Sequence, residues 1–156
     1  MKRIALFPGS FDPFTKAHED LVRRALPLFD EIHVAIGINS AKQGLLSVDD
    51  REASIAGVFA GEDGVKIATF KGLTVDYCKE IGARFILRGL RNGKDLEFEQ
   101  AIAQNNLILN PDVESYFLLS RSGLSHISST IVREILRYNG DVTALVPDAV
   151  LPFLER

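Results

Sequence analysis

Short apolar runs alternate along the whole chain with segments that carry apolar residues on one helical face. The runs are short enough to be buried strands, and they cover residues 3–7, 32–37, 65–70, 85–87 and 115–119. Apolar residues recur every three or four positions in the other segments, which cover residues 18–29, 48–59, 75–81, 96–109 and 129–138. This alternation predicts an α/β fold with a doubly wound, five-stranded parallel sheet and helices on both faces.

Helix-capping and helix-breaking residues lie at the ends of the predicted helical segments. Ser47 precedes the second helical segment as a predicted N-cap, and Asn139-Gly140 marks the end of the last one. Residues 142–156 are predicted to form short helical turns interrupted by prolines. Neither a GxGxxG turn nor a Walker A loop follows a strand, so the fold is Rossmann-like but lacks the usual phosphate loops.

The first strand is joined to the first helix by the segment PGSFDPFTKAH, residues 8–18. In open parallel sheets, ligands bind at this carboxyl edge of the strands. Gly9 indicates a sharp bend or a close approach at that edge. Thr15 suits a helix N-cap, which places His18 at the third helical position, where Glu or Gln would complete a capping box. With His18 there, we expect the N–H groups of the first turn to face an incoming anion, although a surface histidine on a capped helix explains the spacing equally well.

Composition narrows the function classes. The 156 residues are 46% hydrophobic, which predicts one globular domain over residues 1–156 with a sizeable core. A net charge of -3 argues against a nucleic-acid or anionic-membrane surface, so any binding of phosphate must come from a few placed cations. Cys78 is the only cysteine, which excludes a disulfide framework and a cysteine metal cluster. No leader or bilayer-length apolar run is seen, and we expect a cytoplasmic protein.

Three cations follow predicted strands at the ligand edge. Lys42 lies in the loop after the second strand and is a candidate phosphate clamp, although a loop lysine is usually a solvated charge. Arg88 and Arg91 flank Gly89-Leu90 directly after the fourth strand. They indicate a phosphate cradle, and the alternative is a structural salt bridge.

Two further groups of polar residues could serve a nucleotide. Glu99 shares a helix face with apolar residues and needs a partner, either Arg88 or Arg91 or a sugar hydroxyl. The hydroxyls of Ser128, Ser129 and Thr130 precede a helix, which needs only one of them as a cap. From residues alone, the edge is predicted to bind phosphate or a nucleotide, and no substrate is specified.

Motifs along the full chain resemble one family. The first turn resembles the T-x-G-H form of the H-x-G-H signature of nucleotidyltransferases, and Ile127-Ser128-Ser129-Thr130 with Arg133 resembles their second signature. More closely, the chain is similar to bacterial phosphopantetheine adenylyltransferases in four motifs: Pro8-Gly9-Ser10-Phe11-Asp12-Pro13, Arg88-Gly89-Leu90-Arg91, Asp95 to Glu99, and Gly140-Asp141-Val142.

The resemblance implies transfer of the adenylyl group of ATP to 4'-phosphopantetheine, which gives dephospho-coenzyme A and pyrophosphate by direct in-line attack. For this chemistry we expect Mg²⁺ to be carried in on ATP, and the sequence shows no dedicated cage of carboxylates as a protein metal site. The resemblance further implies a homohexamer, with the apolar residues of the helical segment 96–109 as one contact, and feedback by coenzyme A.

Residue roles follow from the same resemblance. The catalytic residues are His18, Lys42 and Arg91. ATP is contacted by Ser10, Phe11, His18, Gly89, Leu90, Arg91, Glu99, Leu124, Ser125, His126, Ile127, Ser128, Ser129 and Thr130. The phosphopantetheine substrate is contacted by Ser10, Lys42, Thr74 and Arg88.

Three positions depart from the family pattern: Ala17 replaces the glycine of T-x-G-H, Phe98 replaces a frequent tyrosine, and Asn92-Gly93-Lys94 replaces a more apolar run. Two alternatives remain open at this point. One is nucleotidyl transfer to another phosphate acceptor, and the other is a nucleotide-binding module without catalysis.

Overall fold

Residues 1–155 form five strands and six α-helices. A computed structural model of the chain describes residues 1–155. The strands are β1 (Ile4–Gly9), β2 (Glu31–Gly37), β3 (Val65–Phe70), β4 (Phe85–Leu90) and β5 (Glu114–Leu119). The helices are α1 (Lys16–Ala25), α2 (Val48–Val58), α3 (Thr74–Ile81), α4 (Gly93–Leu109), α5 (Ser129–Arg137) and α6 (Leu151–Leu154). Two 3₁₀ turns, Leu26–Leu28 and Asp148–Val150, complete the set.

The sheet is parallel throughout, with the strand order β3-β2-β1-β4-β5, so the predicted fold class is confirmed. The order reverses between β1 and β4, which makes their carboxyl ends the switch point where ligands bind in open sheets. Only Ala5 with Phe85 and Leu6 with Ile86 pair across these two strands. The strands therefore part beyond residues 6 and 86 and leave a crevice at the switch point.

Side chains of alternate strand residues build a core on each face of the sheet. On one face Phe7 and Val34 pack against α1, α2 and α5, together with Val146 of the C-terminal segment. On the other face Leu6 and Ala35 pack against α3. The period-two alternation of β1 and β2 thus supplies both cores from the same strands.

Local capping and proline chemistry set the ends of the helices. Ser47 is the N-cap of α2 as predicted, and its hydroxyl accepts the N–H of Asp50. The predicted start of the fourth helix at residue 96 is wrong, because the Asn92 side chain caps α4 by accepting the N–H of Asp95, and α4 starts at Gly93. The first helix ends at Ala25 rather than residue 29, because Pro27 forces a 3₁₀ turn.

The fourth strand and the C-terminal segment also differ in detail from the prediction. The strand continues to Leu90 instead of ending at residue 87, since it stays paired with β5 up to Leu90 and Leu119. The short turns expected over residues 142–156 are found up to Leu154, and residue 156 lies outside the described residues. In the described part of the chain no helix has the length and apolar character needed to cross a membrane.

Candidate active site

A cavity of about 430 Å³ lies in the crevice between the carboxyl ends of β1 and β4. The turn after β1, the first turn of α1, the end of β4, α4 and the start of α5 all contribute to its wall. The predicted site residues that line it are Ser10, Phe11, His18, Arg88, Gly89, Arg91, Glu99, Ile127, Ser128, Ser129 and Thr130. Segments separated by more than 100 residues in the sequence therefore meet at the predicted edge.

A second, smaller compartment of about 280 Å³ adjoins the first. Thr74 lines it at the start of α3, beside Phe70 and Ile102. Ser10 and Arg88 line both compartments. These two residues therefore mark a junction at which molecules bound in the two compartments would meet.

Five predicted site residues do not line either compartment. Lys42 lies on the exposed turn between β2 and α2, where its backbone N–H donates to Asn39 O at 3.2 Å. Leu90 is buried in β4. Leu124, Ser125 and His126 lie in the turn that precedes α5.

Aromatic rings support the turn after β1. Phe11 adopts a left-handed backbone conformation with φ of 48°, and its ring packs against Phe7 and Phe14 at centroid distances of 5.2 and 5.3 Å. A Cβ at position 9 would lie 2.8 Å from two atoms of the Phe11 ring. Gly9 therefore permits a close approach, as predicted, and the approaching group is a phenyl ring of the protein.

His18 completes the cap of α1 in the way that Glu normally does. The Thr15 N–H donates to His18 Nδ1 at 3.0 Å, and the His18 N–H donates to Thr15 Oγ1 at 3.3 Å. An Nδ1 that accepts a hydrogen bond carries no proton, so the ring is the neutral tautomer with its proton on Nε2. Burial, reinforced by the charges of Arg88 and Arg91, lowers the pKa of His18 to about 4. The site thus holds a neutral imidazole that can donate only from Nε2.

The expectation of open N–H groups at the start of α1 is largely wrong. The Lys16 N–H donates to Leu145 O at 2.9 Å, and the His18 N–H is used by Thr15. The start of α5 fits that expectation better, because Ser128 is its N-cap and satisfies only the N–H of Ile131. Among residues 1–155, no backbone partner is found for the N–H groups of Ser129 and Thr130 in the first turn of α5, and N–H groups of this kind are suited to an anion.

Arg88 is paired with Glu99. Of the partners that the sequence left open for Glu99, the structure therefore selects Arg88. The guanidinium donates from Nε and NH2 to the two carboxylate oxygens at 3.0 and 2.6 Å, and from NH1 to Pro8 O at 2.8 Å. The last bond crosses the crevice where β1 and β4 separate. A guanidinium has five N–H donors, so two remain for a phosphate while Glu99 stays bound.

Arg91 is held by Asp95, a site residue to which sequence reasoning gave no role. Its Nε and NH2 donate to the Asp95 carboxylate at 3.1 and 3.3 Å, and its backbone N–H donates to the same group at 2.9 Å. The hydrogen bond from Arg91 lowers the pKa of Asp95. Arg91 lies before the cap of α4 and Asp95 in its first turn, so helical spacing in the sequence gave no signal for this pair.

The hydroxyls at the start of α5 all have protein partners. Ser129 Oγ donates to Pro13 O at 2.8 Å, and Thr130 Oγ1 accepts from Arg133 NH2 at 3.3 Å. Arg133 NH1 also donates to Asp12 O at 2.8 Å. These bonds fix α5 to the turn after β1, a role that the sequence did not indicate.

The carboxylates of the cavity are not arranged as a metal site. Asp95 and Glu99 line it, and each is paired with an arginine. Within residues 1–155, no group of three or more His, Cys, Asp or Glu side chains is placed to hold a metal ion.

An open parallel sheet with arginines and a helix N-terminus at its switch point defines an α/β protein that binds phosphorylated ligands. Comparison with models of protein families agrees with this class of protein. The model of the cytidylyltransferase-like family matches residues 6–135, which extend from β1 into α5.

Curated relatives narrow the assignment. A phosphopantetheine adenylyltransferase of Christiangramia forsetii is 53% identical over 146 residues, which are 94% of this chain and 96% of the relative. A protein of the same name from Leptospira biflexa is 53% identical over 150 residues, 96% of this chain and 94% of the relative. One from Cytophaga hutchinsonii is 48% identical over 147 residues, 94% and 98% of the two chains. The chain therefore belongs to the cytidylyltransferase-like family and, within it, to the phosphopantetheine adenylyltransferases, so the resemblance in its motifs is confirmed.

Proposed function

We propose that this enzyme transfers the adenylyl group of ATP to 4'-phosphopantetheine and releases dephospho-coenzyme A and pyrophosphate. The observation that carries the proposal is the junction at Ser10 and Arg88, where two compartments meet beside a neutral histidine. A transferase with two substrates needs such a meeting point, because holding reactants in line supplies much of the rate. The names of the relatives support this choice of substrates.

ATP is assigned to the larger compartment. Its triphosphate would lie between Arg91 and the N-terminal turn of α5 at Ser129 and Thr130, which together offer a cation and a helix N-terminus. The acceptor phosphate would be held by Arg88 at the junction, with Lys42 approaching from its loop. The pantetheine arm would extend into the smaller compartment past Thr74 and Ile102.

The reaction needs no base. An oxygen of the acceptor phosphate attacks the α-phosphorus, the bond from that phosphorus to the bridging oxygen breaks, and pyrophosphate leaves with the bond's electron pair. The acceptor is already anionic at neutral pH, so no proton has to be removed. His18 donates from Nε2 to a non-bridging α-phosphate oxygen, where negative charge accumulates in the transition state. Arg91 and Lys42 stabilise the same charge.

Mg²⁺ is proposed to be bound through the oxygens of ATP. Both carboxylates of the cavity are engaged by arginines, which fits an ion that arrives on the nucleotide better than one held by protein ligands. Its chemistry would be the neutralisation of phosphate charge. Arg91 and the start of α5 orient the same phosphates independently.

We further propose a cytoplasmic homohexamer. The helix α4 and the adjoining strand β5 present large apolar side chains to solvent, among them Phe98 at 68%, Ile108 at 78% and Leu119 at 69% exposure. Apolar surface of this kind favours an interface with other copies of the chain. Coenzyme A carries the same pantetheine arm as the product, and we propose that it inhibits by occupying the smaller compartment.

The proposal is tested by measuring pyrophosphate release with a set of donors and acceptors. We expect release with ATP and 4'-phosphopantetheine, and far less with CTP or with nicotinamide mononucleotide or glycerol phosphate as acceptor. Release with one of the other acceptors alone would reassign the substrate. Binding of ATP without release in any combination would contradict catalysis.

A further inference from the structure

The loop after β2 carries Lys42, and in the described part of the chain its hydrogen bonds to other segments lie near its carboxyl end. Residues 39–46, here called the Lys42 loop, connect β2 to the N-cap of α2 at Ser47. Lys42 and its neighbours are exposed, whereas Leu46 is buried. A lysine on a flexible stem needs a fixed backbone to act at a defined point. The contacts of the loop's end therefore bear on where Lys42 can reach.

Asp12 binds the end of this loop with both carboxylate oxygens. Oδ2 accepts the N–H of Leu45 at 2.8 Å, and Oδ1 accepts the N–H of Leu46 at 2.9 Å. Asp12 belongs to the turn after β1 and is only 6% exposed. Charge-assisted bonds of this kind are short and strong, so the Lys42 loop and the turn after β1 are coupled through one side chain.

Arg51 makes a second connection between the same two segments. Its Nε donates to Leu46 O at 3.1 Å, and its NH1 donates to Ser10 O at 3.0 Å. Ser10 lies at the junction of the two compartments. A single planar guanidinium on α2 thus holds the Lys42 loop at a fixed distance from the residue at which the substrates meet.

Gly44 allows this arrangement to close. A Cβ at this position would lie 2.7 Å from Asp12 Oδ2, 3.1 Å from Arg51 NH2 and 3.2 Å from Leu46 O. Only a residue without a side chain lets the loop backbone approach the carboxylate and the guanidinium together. Asp12, Arg51 and Gly44 therefore form one compact contact. Gly44 lies two residues after Lys42 in the chain, so this contact is close to the lysine.

We propose that Asp12 and Arg51 are positioning residues that fix the Lys42 loop to the turn after β1, so that Lys42 reaches the reacting phosphates at the junction. The inference rests on the proposed function, because it assigns a target to Lys42. Asp12 and Arg51 act through the loop and touch neither substrate. The helix α2 has its own cap at Ser47 and its own core contact at Ile55, so the loop contact is not needed to form that helix.

Hydrogen exchange tests the anchoring without any need for activity. In the wild-type protein we expect the Leu45 and Leu46 amides to be protected, and in Asp12→Asn we expect faster exchange confined to the Lys42 loop. Lys42→Ala should leave both amides protected, since its side chain does not hold the loop. Unchanged protection in Asp12→Asn would overturn the inference.

A double-mutant cycle in the pyrophosphate assay tests the link to Lys42. We expect Lys42→Ala to lower kcat by about 10²–10³-fold, the scale for loss of one aimed donor. Asp12→Asn and Arg51→Lys should each lower kcat by about 10- to 100-fold with little change in the KM for ATP, since a misplaced group is costly without weakening binding. Added to Lys42→Ala, Asp12→Asn should change kcat by less than about threefold, because the two act as one unit.

Two variants control for stability and charge. Ile55→Val trims the core next to α2, and Asp63→Asn removes an exposed carboxylate near the amino end of β3. Both should keep the wild-type kcat. A double variant whose loss equals the product of the two single losses would overturn the inference while leaving the proposed function intact. A wild-type enzyme that releases no pyrophosphate would instead overturn the proposed function and the role of Lys42 in it, and hydrogen exchange would still decide the anchoring.

Discussion

At the scale of single residues, His18 serves the fold and the chemistry with different atoms. Its Nδ1 closes the cap of α1 by accepting the Thr15 N–H, which leaves the proton on Nε2. The third helical position of His18 was predictable from the Thr15 cap. Its bond back to Thr15 was not, because Glu and Gln are the residues expected to make it. The backbone thus selects the tautomer that can donate to a phosphate.

Replacement of His18 tests its role as a donor. We expect His18→Ala to lower kcat by about 10²–10⁴-fold, the scale for loss of a positioned histidine or oxyanion donor. Steady-state kinetics with both substrates would measure it. His33→Ala is the matched control, because His33 pairs with Glu31 at the other end of the sheet and should keep the wild-type kcat. A rise in KM with kcat unchanged would contradict the role.

The lowered pKa of His18 predicts a pH dependence of stability. In the unfolded chain the pKa is about 6.5, and in the fold it is about 4. As the pH falls below 6.5 the unfolded chain takes up the proton first, so the free energy of unfolding decreases by up to about 3 kcal/mol near pH 4. Urea denaturation between these pH values, for the wild type and for His18→Gln, measures how the free energy of unfolding depends on pH. An equal pH dependence in the two proteins, or an NMR titration of His18 near pH 6.5, would contradict this explanation.

At the scale of secondary-structure elements, the turn after β1 depends on a glycine that makes room for a ring. We expect Gly9→Ala to lower the free energy of unfolding by about 1–3 kcal/mol, because the new methyl group would overlap the buried Phe11 ring. Thermal or urea unfolding measures the loss. Gly93→Ala is the control, since no atom lies within 4 Å of its Cβ position, and it should change stability by no more than about 1 kcal/mol. Equal effects of the two would refute the packing explanation.

Periodicity predicted all five strands and their succession along the chain, while the order of the strands in the sheet and several strand and helix ends depended on contacts that the sequence does not display. The fourth strand continues through Arg88 to Leu90 because β5 pairs with it, and a polar residue in an apolar run had suggested an end. The partner of Glu99 was left open because the choice depends on a distance between β4 and α4. The structure identifies Arg88 as that partner.

At the scale of the whole molecule, strand order creates the site. The sequence predicted which edge would bind a ligand, since carboxyl ends of parallel strands share one edge. It did not predict that β1 pairs with β4 over only two residue pairs and then separates. That separation opens the crevice, and it explains why the two compartments and their junction could not be predicted from local patterns.

The exposed apolar side chains of α4 and β5 predict assembly. We expect sedimentation to show a hexamer for the wild type and smaller species for Ile108→Glu, because a buried charge without a partner is costly at an apolar interface. Tyr138→Glu changes an exposed residue at the end of α5 and should remain hexameric. Identical sedimentation of the wild type and Ile108→Glu would show that this surface is not the interface.

The most direct test of the central claim is a crystal structure of the enzyme with dephospho-coenzyme A bound. We expect the new phosphate-to-phosphate linkage to lie at the junction of Ser10 and Arg88, with His18 Nε2 about 3 Å from an oxygen of the former α-phosphate. The adenosine should fill the larger compartment and the pantetheine arm the smaller one. A product bound with its phosphates away from the crevice between β1 and β4, or with the imidazole out of hydrogen-bond reach, would contradict the account.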